Sequence, residues 1–128
     1  PLLDRIDIQL RVQRVTSAQL KLASGTPRTT TAQARARVTA ARERAAARLA
    51  STPWRVNSQV PGHWLRGPQA RLSGVVTASI DRALERGGIT MRGYDRVLRL
   101  GWTLADLDSA DAPNGDHIGR ALYLRKAL

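Results

Sequence analysis

One stretch, TMRGYDRVLRLGWTLADL from Thr90 to Leu107, limits what this chain can fold into more than any other. Its Tyr94, Val97, Leu98, Gly101, Leu104 and Ala105 recur three and four residues apart, which winds them onto one face of a helix. That face is a core face, and Gly101 within it allows another element to approach closely. Arg92, Arg96, Arg99, Thr103 and Asp106 follow the same spacing on the opposite side, so the helix is expected to show a partner a row of guanidinium groups. The row begins in the first turn, the end of the macrodipole that disfavours a cation. Arg92 there admits two readings: it is held for an anion, or it is solvated and paired with Asp95.

Upstream, Ile6, Ile8, Leu10 and Val12 alternate with Asp7, Gln9, Arg11 and Gln13 across Leu3 to Val15, the period of a strand. A lone strand leaves its backbone groups unpaired, and no other stretch reads as its partner. The chain also begins Pro1-Leu2-Leu3, without Met and inside an apolar run. The expectation is therefore a piece of a longer protein, with residues 1–15 the last strand of a sheet lying upstream. Thr16 to Thr31, rich in Ser, Thr, Gly and Pro, reads as a linker with a helical turn around Ala18 to Leu22.

Residues 32–128 read as a helical domain. A helix over Ala32 to Ala50, capped by one of Thr29 to Thr31, has only a thin apolar stripe of Ala34, Val38, Ala41, Ala45 and Leu49. Ser51 to Pro68 is rich in proline and glycine and should be irregular, with Trp54 and Trp64 filling space between helices. From Gln69 to Arg86 a second helix places Leu72, Val75, Val76, Ser79, Ile80, Ala83 and Leu84 on one face. Gly87-Gly88 stops it. The Thr90 helix follows at once, which predicts an antiparallel hairpin. After Asp108 to Gly115, Asp116 is expected to cap a last short helix whose Ile118, Ala121 and Leu122 face inward. The fold class expected is all-α: a small bundle of four helices with one orphan N-terminal strand.

Charge bears on function. The chain of 128 residues carries 21 basic and 10 acidic residues, a formal charge of +11, and only Lys21 and Lys126 among the basic ones are lysine. Arginine's planar fork suits phosphate and carboxylate, so nucleic acid or nucleotide is a compatible partner; a GC-rich genome explains the same excess without any partner. Arg35, Arg37, Arg42, Arg44 and Arg48 against a lone Glu43 make the 32–50 helix the most basic element. Arg35, Arg42, Arg44 and Arg48 are candidate contacts to a DNA backbone, the alternative being a solvated face without interleaved aromatics for base stacking.

Other chemistry is excluded or unsupported. No cysteine is present, which removes disulfides and thiolate sites and leaves the redox compartment open. His63 and His117 lack a second ligand at metal spacing and read as structural, so no metal site is expected. No apolar run approaches the roughly 18 residues a membrane helix needs, and the cytoplasm is the default compartment. There is no nucleophile with a nearby base, no GxxxxGK[ST] and no HExxH, so this chain alone is not expected to catalyse a reaction. Arginines in structured positions remain, and an arginine lent to another molecule's phosphates neutralises charge during phosphoryl transfer.

Three blocks carry a resemblance: LLDRIDIQLRV at Leu2 to Val12, ARVTAARERAAARL at Ala36 to Leu49, and ITMRGYDRVLRLGWTLADLD followed by HIGRALYLR. Together, in this order, they resemble the C-terminal part of Mg-chelatase-like AAA+ ATPases, nearest to the bacterial ComM-type branch. The resemblance implies that the strand ends an ATPase core and that the helices form its lid. It also implies that the parent protein uses ATP and Mg2+, forms a ring, a hexamer by likeness, and remodels or unwinds DNA. The arginine of the LLDR[IF]D block resembles an arginine finger reaching a neighbouring subunit's nucleotide, and it falls on Arg5. The arginine of the [ST]xRxYxRxL pattern resembles a nucleotide-sensing arginine and falls on Arg92. For Arg5 the alternative is an ion pair with Asp4 or Asp7. Met91 and Gly101-Trp102 depart from the family's usual residues and leave both arginines in place. Two other classes stay open: a small basic module that binds nucleic acid directly, and a protein-interaction domain with an incidental basic surface.

Overall fold

Thr90 caps the long helix where the spacing predicts, its side-chain oxygen accepting the Gly93 amide at 3.0 Å. In the computed structural model, which describes residues 2–126, this helix is the fifth of six: α1 (Ser17–Ala23), α2 (Thr31–Arg48), α3 (Gly62–Leu65), α4 (Gly74–Glu85), α5 (Met91–Leu107) and α6 (Gly115–Lys126). Short 3-10 turns lie at Leu3–Arg5 and Asn57–Gln59. No helix among the described residues is long and apolar enough to cross a membrane.

α5 is the centre of the bundle. α6 packs along one side of it and α2 along another, while α4 packs mainly on α6. The hairpin expected of α4 and α5 therefore holds in sequence more than in contact, because α6 lies against both. Gly101 carries a close approach of α5 to α6: a Cβ there would sit 2.6 Å from Ile118 Cδ1. Leu49, Val60, Ile80, Val97 and Ile118 are the largest fully buried side chains. Each stabilises the fold by about 1.5–3 kcal/mol relative to exposure.

Local chemistry sets the helix ends. Thr30 and Gln33 form a reciprocal capping box at the start of α2, and Thr16 with Gln19 does the same for α1 inside the expected linker. α4 ends in a Schellman arrangement: Gly87 has φ of 72°, its amide donates to Leu84 O, and the Gly88 amide donates to Ala83 O. α4 starts at Gly74 rather than Gln69. The intervening chain folds back on Gly67, whose carbonyl accepts the Ala70 and Arg71 amides, so Ala70 and Leu72 are covered without being helical. α6 is capped by Asn114, not Asp116: Asn114 Oδ1 accepts the His117 amide and His117 Nδ1 accepts the Asn114 amide, both at 3.0 Å. The segment expected to be irregular contains α3, and Trp64 of that helix meets Trp54 edge to face with ring centroids 5.7 Å apart, both half-buried beside the core.

The N-terminal strand is corrected. No β-strand occurs among the described residues, and the chain from Ile6 to Thr16 is irregular, with Ile6, Ile8, Leu10 and Val12 exposed. Alternation fixes which side chains face which way, but a strand needs a ladder partner, and none lies among the described residues. One backbone hydrogen bond, Gln9 N–H to Leu124 O at 2.8 Å, ties this segment to α6.

Candidate functional site

Arg5 closes the N-terminal turn, and both carboxylates beside it are held by other arginines. Asp4 Oδ1 accepts Arg125 Nη2 at 2.6 Å, and Asp7 Oδ1 accepts Arg96 Nη1 at 2.6 Å. Of the two readings for Arg5, the ion pair with Asp4 or Asp7 is therefore not what the structure contains: Arg5 is exposed and makes no salt bridge among the described residues.

Arg92 is placed in the same way. It is exposed in the first turn of α5, a turn without an acidic residue, at the end of that helix that is unfavourable for a cation. Asp95, its partner in the second of the two readings, is held by Arg66, whose Nε donates to Asp95 Oδ1 at 2.9 Å. The Asp95 carboxylate also packs directly against Gly62, where a Cβ would collide with it.

The two arginines flank one junction. Thr90 Oγ1 lies 3.4 Å from both carboxylate oxygens of Asp4, so the residue before Arg5 meets the cap of the helix that carries Arg92. Arg125 completes the seam by donating to Ile6 O at 2.9 Å and Asp4 O at 3.1 Å. Leu3, Gln9 and the Gly87–Ile89 turn line the groove beside it.

The rest of the α5 row is not offered to a partner. Arg99 Nε donates to Val60 O at 2.7 Å, and Asp106 is 3% exposed. Asp106 accepts Arg48 Nη2 and Asn57 Nδ2, each at 2.9 Å, and Arg48 lies 4.5 Å over the Trp102 ring. Arg48 is thus corrected from a DNA-contact candidate to an interior ion-pair residue. Arg44 is half-buried, its Nε enclosed without a partner, whereas Arg35, Arg37 and Arg42 remain exposed along α2.

Both histidines have structural surroundings or none. His63 is exposed. His117 is buried; because its Nδ1 accepts the Asn114 amide, its Nε2 carries the proton and donates to Asp108 Oδ2 at 2.8 Å. That hydrogen bond, aided by Arg120, holds the Asp108 carboxyl below its ordinary 3.8 against partial desolvation. Burial, followed by the hydrogen bond to Asp81, pushes the Tyr94 hydroxyl up to about 12. No group of His, Asp or Glu side chains among the described residues is arranged to hold a metal ion.

Arg125 and Arg66 are site residues that reading the sequence does not single out, and Arg96, read there as part of the row shown to a partner, is instead paired with Asp7. A signal for Arg125 is present in it: the residue falls seven positions after Ile118 and four after Ala121, on the inward face of α6, where an arginine has to find acceptors.

Comparison with known proteins agrees with this architecture. The family model for the C-terminal region of the magnesium chelatase ChlI subunit matches residues 28–125. Uncharacterised proteins of Mycobacterium bovis and Mycobacterium tuberculosis are 38% identical over 126 residues, which is 98% of this chain and 24% of theirs. This chain thus spans about a quarter of the length of those curated relatives. No solved structure matches it. The helical bundle, with α2 to α5 and all but the last residue of α6 inside the matched range, belongs to the family of the C-terminal domain of the magnesium chelatase ChlI subunit.

Proposed function

We propose that this chain is the lid of a ring-forming ATPase of the ComM-type branch, and that it lends Arg5 to a neighbouring subunit's nucleotide and Arg92 to nucleotide sensing. The observation that carries the reading is that Asp4, Asp7 and Asp95 are each held by an arginine other than these two. Both guanidiniums are left at structured positions where an anion is their natural complement. In the parent, ATP and Mg2+ bind outside this chain, the ring is a hexamer, and hydrolysis moves the lid against the core. The work done is remodelling or branch migration of DNA, in the cytoplasm. The test is ATP turnover by the full-length parent with and without branched DNA. DNA-stimulated turnover supports the reading, and absence of turnover contradicts it.

A second reading, direct nucleic-acid binding, draws on Arg35, Arg37 and Arg42, which are exposed along one helix with no acidic partner among the described residues. It predicts DNA affinity that falls steeply with salt and is weakened by Arg35→Ala with Arg42→Ala.

A further inference from the structure

We infer that Arg125 is a positioning residue: it locks the turn that carries Arg5 to the helix start that carries Arg92, so that both guanidiniums meet a nucleotide's phosphates as one rigid pair. This rests on the reading above that both arginines face nucleotide.

Arg125 is 8% exposed, and a guanidinium at that depth must have its charge and donors met. The bonds its Nη1 and Nη2 make among the described residues all go to the N-terminal segment. Nη1 donates to Ile6 O at 2.9 Å, and Nη2 donates to Asp4 O at 3.1 Å and Asp4 Oδ1 at 2.6 Å. The carbonyls of the residues on both sides of Arg5 are therefore held by one side chain. The other flank of the same guanidinium lies against α5, since a Cβ on Gly93 would be 3.1 Å from Arg125 Nε. Gly93 directly follows Arg92. A single planar group thus touches the backbone next to each of the two arginines.

Thr90 closes the loop. Its hydroxyl accepts the Gly93 amide and has its own proton for Asp4, at 3.4 Å. Asp7 with Arg96, and Gln9 N–H with Leu124 O, add two further straps downstream of Arg5. The common effect of these contacts is to remove freedom between two cations, and misplacing a catalytic group by about 1 Å lowers a rate by about a hundredfold.

The experiment is steady-state ATP turnover in the full-length parent for Arg125→Ala, Arg125→Lys and Asp4→Asn, each alone and combined with Arg5→Ala. Amide hydrogen exchange over residues 5–9 is followed in the same proteins. Arg125→Ala is expected to lower kcat on the order of tenfold to a hundredfold with little change in KM for ATP. Arg5→Ala should then cost far less in that background than in wild type, because the finger it removes is already misplaced. Exchange at the Gln9 amide should rise, and Arg125→Lys should fall between wild type and Arg125→Ala. Asp4→Asn, which leaves the helical core intact, should repeat the pattern if Arg125→Ala does not fold. Losses that add independently, or unchanged exchange, would overturn the positioning role alone. Wild-type turnover that ignores Arg5→Ala and Arg92→Ala would overturn the nucleotide reading, and the positioning role with it.

Discussion

Asp106 of α5 and Arg48 of α2 form a largely buried ion pair between the two helices, with Asp106 side-chain oxygens accepting both terminal nitrogens of Arg48. Asn57 bridges the pair: its Oδ1 accepts Arg48 Nη2 at 2.7 Å and its Nδ2 donates to Asp106. Removing one charge leaves the other enclosed and unmatched, which is more damaging than removing both. Asp106→Ala is expected to destabilise the chain by about 3 kcal/mol, at the low end of the buried-pair range because Arg48 keeps some solvent. Arg48→Met with Asp106→Leu should recover most of that loss in urea unfolding.

Gly101 against Ile118 sets how closely α5 and α6 approach. Gly101→Ala gains about 1 kcal/mol of helix propensity but drives a methyl into Ile118 Cδ1, an overpacking that costs about 1–3 kcal/mol. The net is a modest destabilisation. Adding Ile118→Val deletes that Cδ1 atom, so the double variant should be more stable than Gly101→Ala alone. A double variant that is worse would mean the two helices do not meet there.

Tyr94 gives the alkaline limit a specific origin. Its hydroxyl donates to Asp81 Oδ1 at 2.7 Å, and its folded value of about 12 lies above the ordinary 10.0. The neutral form is the one favoured by folding, so this contribution is fully present below pH 10 and is lost as pH rises through about 12. Absorbance titration should show a tyrosine step near pH 12 that is missing in Tyr94→Phe. That variant should also lose the steep part of the alkaline decline.

Asp108 acts at the other end of the scale. Its carboxyl is depressed below 3.8, so its contribution is present above that value and lost as pH falls through the lower folded one. Asp108→Asn should flatten the acid limb of the stability profile while leaving the alkaline limb nearly parallel to wild type. An unchanged acid limb would place the acid sensitivity in another carboxylate.

What can be read from the residues follows from which forces are local. α5, its buried face, the close approach at Gly101, the Thr cap of α2 and the glycine stop of α4 are all legible, because each depends on periodicity or on a backbone preference of nearby residues. The pairing of Asp106 with Arg48 is not. Spacing alone puts Asp106 with the polar set, and only the irregular segment around Asn57 folding over that side makes it interior. The start of α4 is hidden because the apolar residues Ala70 and Leu72 are covered by a turn that happens to continue the helical spacing. Asn114 displaces Asp116 as the cap because the reciprocal bond with His117 satisfies two amides at once. The N-terminal alternation is real as a pattern, yet strand formation depends on a partner that no local signal supplies. At the site, Arg5 and Arg92 are marked by resemblance, whereas the arginines that occupy their neighbouring carboxylates require the fold.

ATP hydrolysis by the full-length parent, compared among wild type, Arg5→Ala and Arg92→Ala in the presence of branched DNA, bears most directly on whether these two arginines serve a nucleotide. The expected result is turnover in wild type that falls by on the order of a thousandfold in Arg5→Ala, as for a finger supplied to transferring phosphate, and is also largely lost in Arg92→Ala. Turnover equal to wild type in both variants would contradict the assignment.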